Sequence, residues 1–203
     1  MKNLINKIIY FLQFIIISIF LLLFKLLGLN ISRYISGKIL SIIGPIFRSK
    51  IITLNNIDQA FPEKNENFKK KIVSEMWLTY GKILAEYNFI KNFRTNKFER
   101  LIEIEGQDEL DQIKNSNEPV IFISGHFDNF ELMAMHIEKS GIDLAAIYRP
   151  LNNPFLNPLM ENIRKKYICK KQIRKGISGT KDLLKYFKAG TSIALMIDQR
   201  VSE

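Results

Sequence analysis

Between Ile8 and Phe24 only Gln13 and Ser18 interrupt an apolar run of seventeen residues, and Leu26, Leu27 and Leu29 extend it past Lys25. As a helix rising about 1.5 Å per residue, this run reaches the lower end of the length that spans a bilayer core of about 30 Å. It is long for the apolar core of a signal peptide, and no small-x-small cleavage site follows it. The expectation is a retained membrane anchor over residues 1–30, with a tilted or half-inserted helix as the alternative. Lys2 and Lys7 precede the run, whereas Lys25, Arg33, Lys38, Arg48 and Lys50 follow it. The excess of positive charge after the run places the body of the protein on the cytoplasmic side.

Beyond the anchor the pattern changes twice. Residues 31–55 mix apolar and basic positions around Gly44-Pro45, which fits either an amphipathic helix on a membrane surface or a helix packed in a core. From Phe68 to Phe93, Ile72, Met76, Trp77, Tyr80, Ile83, Leu84, Tyr87 and Ile90 recur at helical spacing, predicting one long helix with a break near Gly81. After that, short apolar runs alternate with helical stretches. Leu101–Glu105, Pro119–Ile123, Ile142–Tyr148 and Thr191–Ile197 read as strands. Pro119–Ile123 reads as buried on both faces. Asp108–Asn115, the stretch from Leu132 to Ser140-Gly141, Pro158–Lys166 and Thr180–Ala189 read as helices, and Gly176-Ile177-Ser178-Gly179 as a loop. This alternation predicts an α/β fold with a largely parallel sheet flanked by helices.

The candidate chemistry sits at the ends of these strands. His126 follows the run Pro119–Ile123 across Ser124-Gly125, Arg149 follows Tyr148, and Asp198 follows Ile197. Open α/β sheets bind ligands outside the carboxyl ends of their strands. His126 and Glu131 are five residues apart, so they meet only if His126 lies in a turn and Glu131 inside the following helix. The pair then reads as an imidazole base oriented by a carboxylate. The competing reading is that Asp128 and Glu131 form a helix-capping box and His126 is a loop residue.

Charge and cysteine usage narrow the partners. Lys and Arg outnumber Asp and Glu by 30 to 20, a net charge of +10, which favours anionic partners such as lipid phosphates, an acidic carrier protein or nucleic acid. Seven basic residues fall between Arg164 and Lys175. They carry neither a nucleic-acid-binding motif nor interleaved stacking aromatics, and with a membrane segment in the same chain the reading is lipid or carrier protein and no nucleic acid. Cys169 stands alone, which excludes an internal disulfide framework, and it reads as a packing residue.

The stretch Gly125-His126-Phe127-Asp128-Asn129-Phe130-Glu131 resembles the H-x4-D/E motif of glycerolipid-type acyltransferases, above all the late acyltransferases of lipid A biosynthesis in Gram-negative bacteria. Tyr148-Arg149-Pro150-Leu151-Asn152-Asn153-Pro154, Arg164 in Glu161-Asn162-Ile163-Arg164, and Met196-Ile197-Asp198-Gln199-Arg200 match in the same order, and Asn56 to Pro62 resembles an early N-x-x-x-A-F-P stretch of that family. The resemblance covers nearly the whole chain and implies an acyltransferase domain over residues 31–203. It also implies a C-terminal part, completing the sheet and acyl pocket, that this chain lacks.

What the resemblance implies is acyl transfer from an acyl-carrier-protein thioester, rather than acyl-CoA, to a hydroxyl of a lipid A precursor on the cytoplasmic face of the inner membrane. His126 would be the general base, Glu131 its orienting carboxylate, Arg164 with Arg149 the ligands of a phosphate or developing oxyanion, and Asp198 a site residue without an assigned task. No metal and no cofactor are called for. The alternatives are another lipid acceptor, a metal-dependent hydrolase using His126, Glu131, His136 and Asp198, and a membrane-anchored binding protein without turnover.

Overall fold

The computed structural model describes residues 2–47 and 50–198. Arg48, Gln199 and Arg200, named above, lie outside the described residues, as do the side chains of Lys2, Phe47 and Lys50. The chain forms two compact units, one of residues 18–89 and one that joins the residues up to Ile17 to those from Ile90 onward.

The apolar run is one helix, α1 (Lys2–Leu27). Its stretch Leu4–Leu27 is 24 residues long with only 6% buried, long and apolar enough to cross a membrane. Gly28 separates it from α2 (Leu29–Phe47), which carries Pro45 inside its last turn rather than breaking there, and α3 (Lys50–Ala60) follows. The long periodic stretch becomes α4 (Glu66–Glu86), started by Asn65, whose side chain accepts a hydrogen bond from the Phe68 amide.

Gly81 does not break α4. A side chain there would place Cβ 2.3 Å from the Ser36 carbonyl oxygen on α2, so this glycine lets two helix backbones cross at close range. The break falls later, in a 3-10 turn at Tyr87–Phe89 before α5 (Ile90–Arg94). Of the two readings of residues 31–55, packing in a core holds for α2: Gly37 and Gly44 also meet α4, at Leu78 and the Trp77 ring.

The second unit holds the sheet. Strands β1 (Ile121–Ser124), β2 (Leu144–Tyr148), β3 (Lys171–Arg174) and β4 (Ser192–Met196) are all parallel, in the order β1-β4-β2-β3. Ile121 faces Ile193, Leu144 faces Ser192 and Ala145 faces Lys171. Helix α6 (Gln107–Ser116) precedes β1, and α7 (Glu131–Lys139), α8 (Asn157–Tyr167) and α9 (Ile177–Lys188) connect successive strands. Ala145, Ile173 and Ile193 form the buried centre, covered by Leu183, Tyr186 and Phe187 of α9. Cys169 packs here too: burial pushes its thiol up to about 11, and Sγ donates to the Leu144 carbonyl.

Four expectations are corrected. Leu101–Glu105 is not a strand, because after a 3-10 turn at Glu99–Leu101 the chain runs extended without joining the sheet among the described residues. β1 is not buried on both faces: it pairs only with β4 at the sheet edge, and Ile121 and Ile123 remain 50% and 62% exposed. The expected loop at Gly176–Gly179 contains the first turn of α9, which starts at Ile177. Lys171–Arg174, read as part of a basic face, is the second edge strand. Its charged composition suits an edge, where Lys and Arg discourage further strand pairing, and hides it from a search for apolar runs.

The α2–α4 crossing gives a test of sign. Alanine at position 81 would favour helix by about 1 kcal/mol over glycine. The clash with a backbone carbonyl opposes this by about 1–3 kcal/mol. Gly81→Ala is therefore expected to lower the thermal midpoint in detergent, and a raised midpoint would contradict the close crossing.

Candidate active site

The carboxyl ends of the four strands lie along one edge, and the candidate residues gather there. β1 ends at Ser124, and the chain turns through Gly125 and His126 before α7. Asp128 sits at a φ of +41°, and the N-terminus of α7 has no side-chain cap hydrogen bond. The capping-box reading of Asp128 and Glu131 therefore fails, and the turn is shaped for another purpose.

That purpose is visible at Asp198, two residues past β4, the strand beside β1. Its Oδ1 lies 2.7 Å from His126 Nδ1, and its Oδ2 accepts the His126 backbone N–H at 2.7 Å. A single carboxylate thus holds both the ring and the backbone of the histidine. The donated His126 backbone N–H, followed by the ring contact, keeps the Asp198 carboxyl below the usual carboxylate range, so it is ionised at neutral pH. An ionised carboxylate at Nδ1 favours the tautomer protonated there and leaves Nε2 as the basic nitrogen. At Gly125 a Cβ would stand 2.9 Å from the exposed Phe127 ring and 3.2 Å from Asp198 Oδ2, so the turn passes close to the carboxylate. The Phe130 ring meets the imidazole edge to face at 4.7 Å between centroids.

The carboxylate on His126 is therefore Asp198, where the sequence pointed to Glu131. Glu131 lies in the first turn of α7, 6% exposed, and its Oε1 accepts from Arg164 Nε at 2.8 Å and from a terminal guanidinium nitrogen at 2.6 Å. The reason is charge. Burying a carboxylate without a counter-ion is costly, and Arg164 on α8 supplies a double hydrogen bond that an imidazole cannot. Arg164 in turn is committed to Glu131 and lies over the Tyr148 ring at 5.7 Å, which changes its expected task as an anion ligand.

His126, Glu131, Arg149 and Arg164 line one cavity of about 490 Å³, walled by residues of β2, β3, β4 and α9. Arg149, directly after β2, is exposed and forms no ion pair among the described residues. Tyr148 and Arg174 also line the cavity, in a network to which the sequence assigned no task. Tyr148 donates to Glu161 Oε1 at 2.6 Å, Arg174 Nε donates to the Tyr148 hydroxyl at 3.1 Å, and Arg174 also pairs with Glu161 at 2.9 Å. Burial, then the Glu161 acceptor, pushes the Tyr148 phenol up, while the same hydrogen bond draws the Glu161 carboxyl down. In the sequence Tyr148 ends a strand and opens a family-matching stretch, and Arg174 belongs to the basic stretch; their place at the ends of β2 and β3 is the signal that marks them for the site.

The arrangement does not support a four-residue metal site. His136 Nε2 meets Gln107 Oε1 at 2.7 Å in a separate groove with Leu110, Phe122 and Met133, and Glu131 is turned to Arg164. Among the described residues no three His, Cys, Asp or Glu side chains are placed to hold a metal ion.

The structure thus shows a parallel α/β sheet with a histidine and a carboxylate paired at its carboxyl edge, in a chain that also carries an exposed apolar helix. The family model for the bacterial lipid A biosynthesis acyltransferases matches residues 1–203, and the chain belongs to that family. It is 25% identical over 112 residues to the lipid A biosynthesis acyltransferase 2 of Shigella flexneri, covering 55% of this chain and 36% of that protein. Over 114 residues it is 25% identical to the lipid A biosynthesis myristoyltransferase of Escherichia coli K12, covering 56% and 35%. The lipid A biosynthesis palmitoleoyltransferase of the same strain is 24% identical over 109 residues, covering 54% and 35%. The matched stretch spans about a third of the length of these relatives.

The buried pair of α7 and α8 is open to test. Arg164→Met leaves a carboxylate that is 7% exposed without its guanidinium, and removal of one partner of such a pair costs about 3–5 kcal/mol. Chemical denaturation should show that loss, and adding Glu131→Gln should restore most of it. Equal stability of Arg164→Met and wild type would contradict the pairing.

Proposed function

We propose that this protein transfers a fatty acyl group from an acyl-carrier-protein thioester to a hydroxyl of a lipid A precursor, at the cytoplasmic face of the bacterial inner membrane. Residues 1–30 serve as the anchor and residues 31–203 as the acyltransferase domain. The observation that carries the chemistry is the double contact of Asp198 with His126, set at the edge of a cavity that also holds Arg149. Family membership supports the acceptor and the acyl chemistry.

In the proposed reaction, His126 Nε2 takes the proton of the acceptor hydroxyl as its oxygen attacks the thioester carbonyl carbon. The tetrahedral intermediate then collapses with cleavage of the carbon–sulfur bond, and the imidazolium returns its proton to the departing thiolate. No serine or cysteine nucleophile is needed, which agrees with a buried Cys169 whose thiol is raised to about 11. Asp198 holds the base in its reactive tautomer and stabilises the imidazolium. Arg149 supplies the positive charge for a lipid phosphate or the developing oxyanion, in place of Arg164, which stabilises Glu131.

A second acceptor class within the same fold, another lipid hydroxyl, is separated from this reading by assaying acceptors side by side. With a carrier-protein donor and a tetra-acylated lipid A precursor, His126→Ala should abolish transfer by membranes containing the full chain. Asp198→Asn should lower kcat by a factor on the order of 10²–10⁴ with little change in KM, as expected when an imidazole loses its orienting carboxylate. Activity of Asp198→Asn within a few-fold of wild type would remove Asp198 from the mechanism.

A further inference from the structure

The loop between β2 and α8 connects the cavity wall to the apolar helix α1, and one side chain makes the connection. Asn153 is 7% exposed and uses both ends of its amide. Oδ1 accepts the backbone N–H groups of Phe155 at 3.0 Å and Leu156 at 3.2 Å, which shapes the turn before α8. Nδ2 donates to the Tyr10 carbonyl at 2.9 Å and to Gln13 Oε1 at 3.3 Å, both on α1. Phe155 adds an apolar contact, its ring lying 5.4 Å from Phe11 and 6.2 Å from Phe14 between centroids. Gln13, one of the two strong polar interruptions in the apolar run, thus has its polarity matched by Asn153.

The place of this contact along α1 decides its environment. Tyr10 and Gln13 are six and nine residues past Leu4, about 9–14 Å along a helix whose apolar stretch is about 36 Å long. Around them Ile9, Phe11, Leu12 and Ile16 are exposed, 46–54% each. A helix of this composition enters the apolar part of a bilayer whether it crosses or lies along the surface. A loop bonded to its first half, within the apolar stretch, enters with it. Leu151 and Phe155 present matching apolar surface, 40% and 38% exposed.

We propose that the loop Leu151–Phe155 is seated in the lipid leaflet beside α1, and that Asn153 is the positioning residue that fixes the depth of the cavity relative to the bilayer. From the loop a continuous set of hydrogen bonds reaches the cavity wall. Leu151 N–H donates to Asn157 Oδ1 at 2.8 Å, Asn157 Nδ2 donates to Glu161 at 2.8 Å, and Glu161 accepts from Tyr148 and Arg174. Arg149 lies two residues before the loop. The partner is a lipid surface, and the consequence is that an acceptor lipid meets Arg149 without leaving the leaflet. The consequence for turnover rests on the function proposed above; the seating of the loop does not.

The test uses the full chain with Cys169→Ala, carrying an environment-sensitive NBD label at Leu151→Cys or, as a control, at Glu109→Cys on α6. It is reconstituted in phosphatidylethanolamine/phosphatidylglycerol vesicles with and without lipids bearing a quencher on the upper acyl chain. The label at position 151 should shift to the blue and be quenched, and the label at 109 should not. Equal behaviour of the two labels overturns the proposal, whatever the enzymatic activity.

Asn153→Asp then isolates the contact with α1, because a carboxylate still accepts from Phe155 and Leu156 but cannot donate to Tyr10 or Gln13. It should weaken quenching at position 151. It should also lower transfer to an acceptor embedded in vesicles roughly tenfold, as misplacement of reacting groups does, while sparing transfer to the same acceptor in detergent micelles. Undiminished quenching in Asn153→Asp shows that Asn153 does not set the depth and overturns that part of the proposal.

Discussion

The double grip of the Asp198 carboxylate on His126 is the contact around which this site is built. It requires the end of β4 to lie beside the end of β1, although 72 residues separate the two side chains, and the strand order β1-β4-β2-β3 provides that neighbour. Gly125 leaves the carboxylate clear, since a Cβ there would stand 3.2 Å from Asp198 Oδ2. Two hydrogen bonds on one carboxylate, one from a ring and one from an amide, fix position and rotation together. In the proposed mechanism the base is then oriented before substrate arrives, which is where an enzyme gains most from a rigid scaffold.

Around this pair the charges are arranged so that each has a task. Glu131 and Arg164 neutralise one another where water is scarce and tie α7 to α8. Glu161 gathers Tyr148, Asn157 and Arg174 and ties α8 to the ends of β2 and β3. Arg149 and Lys175 remain as exposed cations of the cavity without an ion pair among the described residues. A cavity that avoids an unpaired buried charge has this form: paired ions inside, solvated cations at the rim.

The sequence was informative where chemistry follows local order. Apolar periodicity located α1, α4 and three of the four strands, and punctuation by Pro and Gly located the turns that carry His126 and Arg149. It misled where partners are distant. Glu131, five residues from His126, was the carboxylate that the local motif offered, but a parallel sheet brings together residues that follow different strands, and neither the strand order nor Asp198 as partner can be read from spacing. β3 escaped because an edge strand needs only one buried side chain, here Ile173, and tolerates Lys and Arg at the others. The role of Asn153 was invisible for the same reason as that of Asp198: its partners lie 140 residues or more away.

The orientation of His126 can be measured without turnover. The chain has two histidines, and the structure assigns them opposite tautomers: His126 protonated at Nδ1 by its contact with Asp198, and His136 protonated at Nε2 by its contact with Gln107. Nitrogen-15 spectra of histidine-labelled protein in detergent, assigned with His136→Gln, read the two ring nitrogens of each directly. A neutral His126 with the proton on Nδ1, shifting toward Nε2 in Asp198→Asn, is the result this account predicts. A neutral His126 protonated at Nε2 in the wild-type protein would leave no basic nitrogen for the acceptor hydroxyl and would contradict it.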